Sequence, residues 1–152
     1  MKVPGRILLL VAAGCSAAVA LLHVAIAVFG PPWYRWFGAP SLAARIEAGA
    51  ALVPVLLTVA VAALFVVWAC YALSGAGAIR RLPLLRAVLF TIAAIYLLRG
   101  IQVVPEAIAV ARGAIPVRFA MFSAFSALAG AVYLWGVVRI GRQGRSPEAP
   151  AA

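Results

Sequence analysis

The sequence predicts an all-α integral membrane protein: a four-helix bundle, N-in and C-in, with outer connections each able to hold a short interfacial helix. Three observations carry that prediction. Hydrophobic residues fill 67% of the 152 positions and charged residues 11%, whereas soluble domains average about 45–50% and about 25%. Four apolar runs reach the roughly 20 residues that a bilayer crossing takes. The thirteen Lys and Arg, set against three acidic residues, are distributed unevenly around those runs. A single membrane domain over residues 1–140 follows, with spans at about 7–29, 50–73, 82–104 and 119–138.

The first span follows Lys2 and Arg6 and is interrupted only by Gly14, Cys15, Ser16 and His23. Its start resembles a signal peptide, and Ala12-Ala13-Gly14-Cys15 resembles a lipoprotein cleavage box. The apolar run continues for fourteen residues beyond Cys15, too far for a cleaved leader, so it is read as a retained span. Pro31-Pro32 stops it, because proline lacks the N–H that a helix interior requires. The aromatic stretch Trp33-Tyr34-Arg35-Trp36-Phe37 comes next. Ser41 is placed to cap a helix from Leu42 that runs unbroken into the second span.

The second span holds no charge. Ser74-Gly75-Ala76-Gly77 reads as a tight turn. The third span carries Arg86 near its start and Arg99 near its end. The connection after it, 102–117, contains Pro105 and Pro116, with Ala107–Arg112 between them suited to a short interfacial helix. The fourth span is framed by Arg118 and Arg139. Residues 141–152 are too polar to fold and are predicted to be a disordered cytoplasmic tail.

Orientation follows from the basic residues. Lys2, Arg6, Arg80, Arg81, Arg86, Arg139, Arg142 and Arg145 lie on one side, and Arg35, Arg45, Arg99, Arg112 and Arg118 on the other. The richer side is cytoplasmic by the positive-inside rule. Trp33, Tyr34 and Trp36 then form an interfacial aromatic cluster at the outer surface. The net charge of +10 is thereby a set of flanking anchors. It does not form the basic stripe with stacking aromatics that nucleic acid demands, so no nucleic-acid partner is expected.

Inventory excludes much chemistry. The chain has no Asp, no Asn and a single His, so it cannot assemble three or four metal ligands at matched spacing. Lys2 is the only lysine, which removes a phosphate-binding GxxxxGK[ST] loop. Cys15 and Cys70 lie 55 residues apart, so the CxxC pair of a membrane disulfide oxidoreductase is missing. Neither metal nor cofactor is expected.

The rare polar groups gather toward the outer side. Arg99 carries the strongest signal, since an arginine at the centre of the hydrocarbon costs about 2.5–3.5 kcal/mol on insertion scales. On an outward-running helix its side chain leans back into the bilayer, which favours an internal partner. Glu106 and Gln102 continue its helix face, and Glu47 is a rival partner. With His23 these residues define a candidate ligand-binding cluster: Arg99, His23, Glu106, Gln102 and Glu47. A structural ion pair is the competing reading.

Three function classes stand. The first is a structural or accessory membrane protein acting through helix contacts, with a membrane-protein partner or a homo-oligomer. The second is a binder or carrier of a lipophilic or anionic small molecule at the Arg99 cluster. An enzyme using His23 or Glu106 ranks last. Low lysine with abundant Arg and Ala points to a bacterial cytoplasmic (inner) membrane, with the lipid bilayer as the first partner.

Overall fold

The computed structural model describes residues 4–143. Helices account for all the regular structure in them: α1 (Gly5–Phe29), α2 (Pro31–Trp36), α3 (Pro40–Glu47), α4 (Leu52–Gly75), α5 (Leu85–Gly100), α6 (Val103–Ala111) and α7 (Val117–Gln143). Four segments are long and apolar enough to cross a membrane: Gly5–Phe29, Leu52–Gly75, Leu85–Ala111 and Val117–Gly141. The third of these is α5 and α6 taken together. Large apolar side chains such as Leu21, Val28, Leu52, Leu98 and Leu128 are more than half exposed on these helices. Water would penalise such surfaces and hydrocarbon would not.

Helix ends are set locally. After α3, the Gly49 N–H bonds the Ile46 carbonyl and the Ala50 N–H bonds the Arg45 carbonyl, at 3.0 and 2.9 Å. Gly49 takes φ +84°. This is the Schellman closure, which needs a left-handed residue and therefore favours glycine. It separates α3 from α4, so the expected unbroken run into the second span does not occur. Nor does Ser41 cap α3: Ala39 holds that position, with Pro40 in the first turn and no side-chain cap. Proline fits there because the first-turn N–H groups lack intrahelical partners anyway. The same closure ends α2 at Gly38.

The α5–α6 junction has a different cause. Pro105 offers no N–H to the Ile101 carbonyl, which instead accepts from Val104 at 3.3 Å. One turn tightens to i→i+3 bonding while Ile101 and Gln102 keep right-handed helical dihedrals. The short helix after Pro105's turn begins at Val103, four residues before the expected Ala107. At the other end of α5, Leu84 occupies the left-handed region at φ 51°, and the helix starts at Leu85 rather than at 82. Ser74 pins the preceding loop: its hydroxyl donates to the Arg80 carbonyl at 3.0 Å and accepts from the Leu82 N–H at 2.9 Å. α4 itself runs through Gly75, so the turn begins later than expected. α7 continues through 141–143, and the remainder of the expected tail, 144–152, lies outside the described residues.

The chain divides into two compact units. One comprises residues 14–69. Its centre is Ile26, Tyr34 and Ala43, packed against Leu22, Trp33, Phe37, Leu42 and Ile46, so α2 and α3 fold back onto the end of α1. The Tyr34 hydroxyl donates to Thr58 Oγ1 at 2.9 Å, and the Thr58 hydroxyl in turn donates to the Pro54 carbonyl at 2.8 Å. Tyr34→Phe removes one link but leaves Thr58 bonded. We expect a loss of about 1 kcal/mol, seen as a thermal midpoint a few degrees lower in detergent.

The other unit comprises 4–13 and 70–143 among the described residues. Here α5 packs along α7 and α6 also lies against α7. Leu9, Leu89, Ile92, Tyr133 and Val137 are fully buried or nearly so, and the rings of Tyr96 and Tyr133 stack at 5.7 Å. Glycine permits the close approach of the two helices. A Cβ on Gly100 would stand 2.6 Å from Ala127 Cα, and one on Gly130 would stand 2.9 Å from the Leu97 backbone nitrogen. Small residues at such seams let backbones approach and gain van der Waals contact where lipid supplies no hydrophobic driving force.

Candidate functional site

Arg99 lies in the last turn of α5, Glu106 in the first turn of α6 and Ser123 early in α7. The tightened turn at 101–102 brings the first two together, and the α5–α7 seam delivers the third. Arg99 Nη1 donates to Ser123 Oγ, and Ser123 Oγ donates to Glu106 Oε2. Arg99 Nη1 also stands 3.4 Å from Glu106 Oε1. Ser123 is fully buried, while the Arg99 and Glu106 side chains are 46% and 19% exposed. The hydroxyl thus accepts from the cation and donates to the anion, joining opposite charges through one neutral atom. Charge-assisted bonds of this kind are the stronger class of hydrogen bond.

The other sequence-predicted site residues lie elsewhere. Gln102 is exposed, and its carbonyl accepts the Glu106 N–H at 3.0 Å, so its backbone holds the turn that positions Glu106. Glu47 forms a hydrogen-bonded ion pair with Arg35 across α2 and α3. His23 Nδ1 lies 2.8 Å from the Val19 carbonyl. A carbonyl only accepts, so this contact requires the proton on Nδ1. That ring packs 5.4 Å from Phe65. Glu47 and His23 belong to the 14–69 unit, and Arg99, Gln102 and Glu106 to the other.

In the aromatic cluster, Trp36 is exposed and Trp33 half-buried, whereas Tyr34 is buried. Phe29 and Trp33 stack at 4.6 Å. Pro32, Trp33, Trp36 and Phe37 line an open cavity of about 410 Å³. Sequence reasoning missed Ser123 as the joint between Arg99 and Glu106. The nearest signal was its position as one of two serines in the fourth span, and that does not say which way it faces.

Four segments of spanning length and composition, with only helices as regular structure among the described residues, are compatible with a multi-pass membrane protein. No family model, curated protein or solved structure matches the chain.

Proposed function

We propose that this is a structural or accessory protein of a bacterial cytoplasmic membrane that works through helix contacts, with a membrane-protein partner or with its own copies. Its four spans form one bundle, and both termini face the cytoplasm, as eight basic residues on that side against five on the other support. The observation that carries the reading is the closed Arg99–Ser123–Glu106 group. Arg99, in the last turn of α5, and Glu106, in the first turn of α6, are directed at each other and at a fully buried hydroxyl. Their bonding is spent on holding α6 and α7 together, while long apolar helix faces remain exposed for contact.

A second reading rests on the exposure of Arg99. Its side chain is 46% exposed and both of its contacts use Nη1, which leaves an edge of the guanidinium for an anionic small molecule at an outward-facing polar cluster.

Native mass spectrometry of protein released gently from membranes separates the two. An oligomer or a complex with another membrane protein is expected. A bare monomer overturns the first reading, and a small anion retained by wild type but lost in Arg99→Leu/Glu106→Leu replaces it with the second.

A further inference from the structure

The C-terminal half of α7 carries a feature that the Arg99 group does not use. Ala131, Leu134, Trp135, Val138 and Arg139 line an open groove of about 380 Å³. Their spacing places all five on one helix face, and at 1.5 Å per residue the groove extends for about 12 Å along the axis. Its wall is apolar until the last residue. The Arg139 guanidinium lies over the Trp135 ring, 5.7 Å from its centroid. The charge is drawn to the ring quadrupole, and a guanidinium carries five N–H donors with which to meet an acceptor.

Among the described residues, charge around this end is of one sign. A Cβ on Gly5, beside Arg6, would stand 2.9 Å from Arg139 Cβ, and one on Gly141 would stand 2.7 Å from Arg86 Nη2. Arg6 and Arg86 therefore sit close to the end of α7. Among the described residues of this unit the one carboxylate is Glu106, engaged with Ser123, about 24 Å down α7 from Arg139. An apolar channel that ends at an amphipathic ring and an arginine, in a positive field, matches an acyl chain joined to a phosphate.

We infer that this face of α7 is a binding site for one anionic phospholipid, its acyl chain lying along Ala131, Leu134 and Val138 and its phosphate bonded to Arg139. Trp135 sits at the level of the glycerol backbone, where indole rings concentrate in membranes. Arg6 and Arg86 strengthen the attraction without touching the lipid. The inference rests on the membrane reading of the chain.

The test titrates palmitoyl-oleoyl phosphatidylglycerol or palmitoyl-oleoyl phosphatidylcholine into detergent-solubilised protein, with bound lipid counted by native mass spectrometry. Prior recovery from the membrane fraction checks the membrane reading separately. Wild type is expected to retain one phosphatidylglycerol in preference to phosphatidylcholine. Arg139→Gln should reduce that preference about fivefold, as one fewer arginine at a membrane surface implies. Ala131→Phe, which fills the groove and keeps the arginine, should lower occupancy by both lipids. Inorganic phosphate in excess should not displace the lipid. Equal retention of the two lipids by wild type overturns the assignment, as does an undiminished preference in Arg139→Gln, whose helicity by circular dichroism should match wild type.

Discussion

Replacing Gly100 with valine is expected to cost about 3 kcal/mol or more, or to prevent the folded protein from accumulating in the membrane. A Cβ there would meet Ala127 Cα, Cβ and backbone nitrogen at 2.6–2.7 Å. All three atoms are rigidly attached to α7, so no rotamer change relieves the clash and the helices must separate. Overpacking of a tight core ordinarily costs about 1–3 kcal/mol. This site belongs at or beyond the top of that range, because separation also loosens the Ser123 contacts with Arg99. Gly14→Val is the matched control, since a Cβ there meets nothing within 4 Å. Equilibrium unfolding in mixed detergent micelles would compare the two. Equal stability of the variants would mean that α5 and α7 are not closely apposed.

The second large effect concerns the Arg99 group. Glu106→Leu leaves Arg99 with a serine hydroxyl as its remaining partner at membrane depth. Breaking a fully buried ion pair from one side costs about 3–5 kcal/mol. With Arg99 nearly half exposed, we expect about 2–3 kcal/mol, close to the insertion cost of an unpaired arginine. Arg99→Leu with Glu106→Leu should recover most of that loss, because no charge is then left alone. The same unfolding assay reads both variants. Additive losses in the double variant would show that the two residues do not act as a pair and would remove the main support for a structural role. Ser123→Ala should fall between wild type and Glu106→Leu, since Arg99 and Glu106 would still face each other at 3.4 Å.

Both predictions depend on how helices are rotated about their axes, and that was the part of the fold least legible in the sequence. The four long apolar segments were readable because hydropathy is a local sum. Their ends were partly readable. Pro31-Pro32 marks the end of α1, whereas the break at Gly49 carries no comparable signal and the sequence there is equally consistent with a continuous helix. Its Schellman closure depends on whether the chain adopts φ +84°, and an isolated glycine permits that without requiring it. The α5–α6 junction followed from Pro105, although the tightening falls three to four residues ahead of the proline, where the missing donor is felt.

The candidate site was legible in fragments. Arg99 and Glu106, seven residues apart, were expected to share a helix face, and the structure brings them together. Arg35 and Glu47, twelve apart, were not paired in advance, because their contact depends on the turn at Gly38 folding α3 back on α2. Tyr34 was read with its aromatic neighbours as a surface anchor. Its burial comes from the packing of α2 against the end of α1, and its bond to Thr58 from the approach of α4, neither of which composition encodes.

The sequence by itself determined the class of this protein: all-helical, with four segments apolar for long enough to cross a membrane and basic residues between them. Tertiary structure alone decided the partners, namely Ser123 between Arg99 and Glu106, Arg35 with Glu47, and Gly100 against Ala127. The physical reason is that these long helices are apolar nearly all round. A soluble helix announces its inward face by a stripe of hydrophobic residues. A helix surrounded by lipid has no such stripe, so the inward face is set by where small residues allow two backbones to meet.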